Sequence, residues 1–269
     1  MNYFGLQESF IFHFFRHGKA LYQQGIVTFE EANDLDPLEI PILEENARFI
    51  AKSIHPSETV LLCSSQFGRA LHSAKVLVSV FEKQGIRIET FNNPCSVRII
   101  PSLGEVSNFS WNLFCPLVDG GDVNFEGETF HIEKSWTNPE GLDGARYFNT
   151  NAISRIPGWV RSRLPYEYVK RIDSFETFAE VTSRFVSLMR AFMLTSKGKR
   201  MRIIATSHEA LAVFAVIAFT NGKQQTLDLS SFVTFEKKGD NLFIRQVGSL
   251  TDGCNDLDYF QAYHRHFEE

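Results

Sequence analysis

The sequence predicts an α/β fold: a three-layer α/β/α sandwich around a mostly parallel sheet. Three short, predominantly apolar runs, residues 10–15, 59–63 and 201–206, carry this expectation first. Runs of that length without polar alternation suit strands covered on both faces, as in a parallel sheet between helical layers. Segments with apolar residues at helical spacing lie between them, and parallel strands need such crossovers.

Taken in order, residues 10–15 form the first strand. Residues 41–54 place Ile42, Leu43, Ala47, Ile50 and Ala51 on one helical face. Residues 59–63 are a second buried strand, followed by Ser64-Ser65, and a helix runs from about residue 68 to residue 83, stopping near Gly85. Short extended pieces follow at 86–91 and 96–100. Residues 106–171 break the pattern, holding all three Trp, much Gly, Asn and Pro, and no long periodic run. They read as a cap-like insertion within a single domain spanning residues 1–269. A helix at 175–194, a strand at 201–206 and a helix at 209–219 follow. The alternating segments 231–237 and 241–247, separated by Gly239-Asp240, read as a closing hairpin. No internal repeat is present.

A hydrophobic content of 43% with 22% charged residues is ordinary for a globular core, and 26 Phe predict aromatic packing within it. The net charge of −5 argues against nucleic acid as a general partner. Cys63, Cys95, Cys115 and Cys254 are scattered, which fits reduced thiols better than a disulfide framework or a zinc site. Residues 1–8 show no signal-peptide pattern, and the most apolar later stretch, 210–219, is too short to span a bilayer. The expectation is a cytoplasmic protein without a membrane partner.

Ligands of such folds bind beyond the C-terminal strand ends. Those ends carry Arg16-His17-Gly18, Ser64-Ser65 and Ser207-His208, with Arg69 just after the second. Arg offers a permanently charged fork for phosphate oxygens, His a possible nucleophile, and Gly a close backbone approach. Two guanidiniums and two imidazoles converging on one point suit the charge of a transferring phosphoryl group. A carboxylic acid is still needed to protonate the leaving oxygen, and Glu105, after a short strand, is the best placed.

The chain here resembles the histidine phosphatase superfamily, the phosphoglycerate mutase-like fold, in its mutase/phosphatase branch. Arg16-His17-Gly18 matches the family's opening Arg-His-Gly, and residues 64–74 resemble its Ser-Ser-Pro-Leu-x-Arg-Ala-x-x-Thr-Ala segment. Leu103-Gly104-Glu105 is similar to its Leu-x-Glu element, and residues 203–208 to its strand ending in the second His. Order and spacing agree over nearly the whole chain outside residues 106–171. The resemblance implies His17 as the nucleophile that forms phosphohistidine. It implies Arg16, Arg69 and His208, with Gly18 and Gln23, around the phosphoryl group, and Glu105 as acid and then base.

The chain departs from the pattern at Ala20 and Gln23, where the family reads Ser and Asn, and at Gln66, where it reads Pro. Glu209 directly follows His208, the position of the proton donor in the phytase-like branch, and is a rival acid to Glu105. The expected activity is hydrolysis of a small phosphomonoester without metal or cofactor. A phosphomutase is the alternative, disfavoured by Ala20 and Gln23; a phosphate-binding module without turnover is another.

Bland readings stand beside these. Arg69 as a surface helix residue, His208 as a helix N-terminal residue and Glu105 as a loop carboxylate are the structural alternatives. His13 reads as a hydrogen-bonded core histidine. Arg155, Arg161, Arg163, Lys170 and Arg171, opposed only by Glu167, form either a solvated face or a grip on further substrate charge. Aromatic residues of the insertion, among them Phe114, Phe125 and Phe130, line a cap or form the insertion's own core.

Overall fold

The computed structural model describes residues 10–21, 34–91, 96–105, 110–134, 161–176, 178–208, 211, 227–238, 241–246 and 249–251. The chain divides into two compact units, one made of Met1–Glu105 and Arg184–Glu269, the other of Val106–Ser183.

The first unit is built on an eight-stranded sheet. Its strands are β1 (Phe10–Arg16), β2 (Thr59–Ser64), β3 (Arg87–Ile88), β4 (Val97–Ile99), β7 (Met201–Ser207), β8 (Phe232–Lys238), β9 (Asn241–Gln246) and β10 (Ser249–Thr251). The order is β10-β9-β8-β1-β7-β2-β3, with β4 also on β2. Strands β1, β7 and β2 pair in parallel, and β8, β9 and β10 continue antiparallel from the other edge of β1. Short β3 and β4 share one edge of β2 in series, β3 against Thr59 and Val60 and β4 against Leu62 to Ser64.

Successive side chains of β1 point to opposite faces, so the phenylalanines serve two cores. Phe12 and Phe14 meet Phe192 and Phe185 of helix α5 (Phe178–Ser196), with ring centroids 5.1 and 5.4 Å apart. On the opposite face Phe15 lies 4.9 Å from Phe232 and joins the cluster made by helices α1 (Ile40–Ala51) and α2 (Gly68–Lys83). In α1 the buried stripe is Leu43, Ala47, Ile50 and Ala51, whereas Ile42 is 46% exposed. Ile42 stands about 100° around the helix from Leu43, and Phe49, two turns further along, is exposed as well. His13 is buried, with Nδ1 2.8 Å from Thr234 Oγ1, and Arg202 beside it reaches Ser53 and Glu58.

The second unit contains more regular structure than its composition suggests. Helix α3 (Trp111–Asp119) has Pro116 inside it and ends at Gly120-Gly121, with φ of 77° and 121°. Strands β5 (Gly121–Phe125) and β6 (Glu128–Ile132) form a hairpin whose turn residues Glu126 and Gly127 both have positive φ, matching the right-handed twist of the flanking strands. Helix α4 (Tyr166–Asp173) buries Tyr168, which packs edge-on against Phe125 and Phe130 and donates through its hydroxyl to Leu113 O at 2.6 Å. Phe125 and Phe130 thus help form a small aromatic core.

The basic cluster of this unit is opposed by more than Glu167. Arg161 makes a bidentate pair with Asp173 at 2.7 and 2.8 Å, Lys170 faces Glu167, and the Arg171 guanidinium lies over the Phe175 ring. Arg155 lies outside the described residues. Among the described residues no helix is long and apolar enough to cross a membrane.

Candidate active site

Register brings the sequence-predicted residues together. Arg16 pairs with Ser207 across the β1–β7 ladder, and Ser64 with Thr206 across β2–β7, so three parallel strands end almost level. Beyond β4, the 3-10 turn Pro101–Leu103 leads through Gly104 to Glu105. Arg69 occupies the first turn of α2 and shares its buried face with Ser73, one turn on. It is 4% exposed, which removes the surface-residue reading.

The site is organised around that guanidinium. Arg69 Nε donates to His17 Nε2 at 2.9 Å, and its NH2 group contacts His208 Nδ1 at 3.0 Å. An arginine has only donors, so both imidazole nitrogens facing it accept. The remaining ring nitrogens then carry the protons: His17 Nδ1 donates to Gly18 O at 2.5 Å, and His208 Nε2 donates to Ser65 Oγ at 2.7 Å. Each tautomer is set by the partner on its far side. The two rings stand 4.9 Å apart, and Phe67 packs edge-on against His208. Glu105 Oε2 lies 3.6 Å from Arg69 NH2 and 3.5 Å from His208 Nδ1, with its side chain 30% exposed at the mouth of an otherwise buried group. Arg16 NH1 donates to Leu227 O at 2.7 Å.

Gly18 is required by packing. A Cβ there would come within 2.5 Å of Leu35 Cδ1 and 2.8 Å of Ser230 Oγ, and the Gly18 amide donates to Ser73 Oγ. Its carbonyl accepts the hydrogen bond from His17 Nδ1, so its observed contribution is to orient the ring. Gln23 and Glu209 lie outside the described residues.

Two residues that sequence reasoning missed support the Glu105 loop. Arg184 NH1 donates to Ser102 O at 2.8 Å and Gly104 O at 3.0 Å, and Ser207 Oγ donates to Leu103 O at 2.6 Å. Ser207 lies directly before His208, a sequence signal that was available; Arg184 offers none, being one arginine on a long helix.

No family model matches the sequence, and no curated protein matches it significantly. Solved structures do match. Phosphoglycerate mutase from Bacillus anthracis str. Sterne aligns over 96% of this chain and 97% of its own, with a TM-score of 0.54 at 13% identity. The fold is phosphoglycerate mutase-like. Two further structures align with this fold at TM-scores of 0.50. One is a mutant phosphoserine phosphatase from Entamoeba histolytica in complex with phosphoserine, 15% identical and matched over 90% of this chain and 96% of its own. The other is Bacillus stearothermophilus YhfR, 14% identical and matched over 89% and 96%.

Within this fold the imidazoles are held neutral. Burial, then the charges of Arg69 and Arg16, push His17 down to about 3 against the opposing pull of the Gly18 carbonyl. Burial, then His17, Arg69 and Arg184, lower His208 well below its ordinary value, and burial with Arg202 does the same to His13. An unprotonated ring nitrogen beside a buried cation favours an anionic ligand and leaves a lone pair for bond formation.

A stability consequence follows. Unfolded histidines titrate near 6.5, so on acidification below that value the unfolded chain takes up protons that the folded chain refuses, down to about 3 for His17. Stability is therefore full above pH 6.5 and falls as pH drops, with a limiting slope of roughly 1 kcal/mol per pH unit for each such histidine. Urea midpoints measured between about pH 6.5 and 5, largely above the carboxylate range, should fall steadily, and more shallowly in His17→Asn. Flat midpoints across that span would contradict the neutral-histidine assignment.

Proposed function

We propose that this chain is a metal-independent phosphomonoester hydrolase that works through a phosphohistidine on His17. The supporting observation is the Arg69 guanidinium bridging His17 Nε2 and His208 Nδ1, with the His17 proton held on Nδ1 by its hydrogen bond to Gly18 O. That arrangement presents an unprotonated nitrogen and a fixed positive charge to one point. A phosphoryl oxygen entering there takes over the guanidinium's hydrogen bonds and frees the Nε2 lone pair to face phosphorus.

In the first half-reaction the Nε2–P bond forms as the P–O bond to the alcohol breaks, and Glu105 gives its proton to the departing oxygen. In the second, the Glu105 carboxylate takes a proton from water. That oxygen bonds to phosphorus, and the P–N bond breaks to return neutral His17 and release inorganic phosphate. Arg16 and Arg69 hold the nonbridging oxygens, joined by His208 once its Nδ1 has taken up a proton, and the two guanidiniums supply the charge neutralisation that a metal provides elsewhere. The substrate is a small phosphorylated molecule. Hydrolysis of p-nitrophenyl phosphate that persists in chelator supports this reading; no hydrolysis, or transfer of phosphate only between positions of one substrate, overturns it.

The acid is identified by leaving-group dependence. Protonation matters greatly for an alkyl alcohol and little for p-nitrophenol, so Glu105→Gln is expected to slow alkyl phosphate hydrolysis by about 10²-fold or more and p-nitrophenyl phosphate hydrolysis far less. It should also remove one limb of the pH–rate profile. Glu209→Gln is expected to be mild on both substrates. The reverse pattern would transfer the acid role to Glu209 and leave Glu105 a loop carboxylate.

A further inference from the structure

We propose that Arg184 and Ser207 are positioning residues that aim the Glu105 carboxyl at the leaving group, an inference that rests on the proton-donor role just given to Glu105. Glu105 stands on a loop with a partly exposed side chain, yet proton transfer needs its oxygen within hydrogen-bond reach of the leaving oxygen. A loop meets that demand only if its backbone is held from outside.

Every carbonyl from Ile100 to Gly104 has a partner. The turn's own amides take two: Leu103 N donates to Ile100 O and Gly104 N to Pro101 O. The next three face side chains, with Arg184 on Ser102 O and Gly104 O and Ser207 on Leu103 O. Arg184 comes from α5 and Ser207 from the tip of β7, so the loop is fastened on two sides. Because Ser207 adjoins His208, the same strand end sets the imidazole and, through Leu103, the carboxylate. Charge-assisted bonds are the stronger kind, and a planar guanidinium spans two carbonyls where an ammonium is a single point. The turn is also tight: a Cβ on Gly104 would lie 2.9 Å from Pro101 O. Ser207 meets His17 through its main-chain carbonyl, which accepts from the His17 amide and is kept in Ser207→Ala, so the hydroxyl, like the Arg184 guanidinium, acts through the carbonyls of the Glu105 loop.

The test compares Arg184→Met, Arg184→Lys and Ser207→Ala on an alkyl phosphate and on p-nitrophenyl phosphate, each alone and in a Glu105→Gln background. A misplaced catalytic group costs up to about 10²-fold, so Arg184→Met is expected to lower kcat on the alkyl phosphate by roughly 10-fold to 10²-fold, with KM nearly unchanged. Its effect on p-nitrophenyl phosphate should stay within about threefold, and Arg184→Lys should recover part of the loss. Ser207→Ala, which removes one hydroxyl, should repeat the pattern more weakly and keeps the test open if Arg184→Met does not fold. Once Glu105 is Gln, adding either change should cost nothing more on the alkyl phosphate, because residues that act through one group are not additive. Vanadate inhibition unchanged from wild type reports an intact His17–Arg69 pocket.

Equal losses on both substrates, or an additive loss in the Glu105→Gln background, would overturn the positioning role while leaving Glu105 as the acid. Absence of leaving-group dependence in Glu105→Gln itself would overturn the acid assignment, and this inference with it.

Discussion

His17→Asn is expected to abolish turnover, lowering kcat by about 10⁴-fold or more, as loss of a covalent nucleophile does elsewhere. The backbone reason to expect an intact fold is that the His17 amide bonds to Ser207 O irrespective of the side chain. The side-chain reason is that an asparagine oxygen still offers Arg69 an acceptor, whereas His17→Ala leaves that buried donor facing a void. Rapid quenching of the wild type with labelled substrate should trap phosphate that is stable to alkali, labile to acid and located on His17. The variant should trap none. Label on a serine or an aspartate would replace the proposed intermediate with a different one.

Arg69→Ala is the second large effect. This side chain bridges both imidazoles, and its charge helps keep them neutral. On the proposed mechanism its removal takes away a bidentate contact to the developing charge, and it frees two rings that Arg69 holds by hydrogen bonds. A kcat loss of roughly 10²- to 10³-fold is expected, together with weaker inhibition by inorganic phosphate and vanadate. Arg69→Lys should recover little, since one ammonium cannot hold both nitrogens in the plane of a fork. Inhibition by vanadate equal to wild type would remove Arg69 from the phosphate site. Removing its positive charge also relaxes one cause of the low His17 value, so acid destabilisation should be milder in this variant.

Much of the scaffold was legible in the chain because buried strands and amphipathic helices advertise themselves locally. Residues 10–15, 59–63 and 201–206 fall within β1, β2 and β7, and α2 occupies the predicted range. Arg16, His17, Arg69 and His208 were readable for the same reason: they sit at or just past strand ends, where an open parallel sheet collects its ligands. Regular structure within residues 106–171 was less visible. Pro116 lies inside α3 and Gly120-Gly121 ends it, both residue types that ordinarily signal breaks.

The sequence by itself therefore determined the α/β class, the central strands and the residue types that gather at their tips, since these depend on local pattern and on the direction of parallel strands. Tertiary structure alone decided the rest. It placed short β3 and β4 in series on β2, set the imidazole tautomers through Gly18 O and Ser65 Oγ, paired Arg161 with Asp173, and recruited Arg184 to carbonyls some 80 positions away. Backbone carbonyls are identical at every residue, so a side chain whose task is to hold them leaves no chemical partner to recognise along the chain. Its role exists only once the fold has brought the two together.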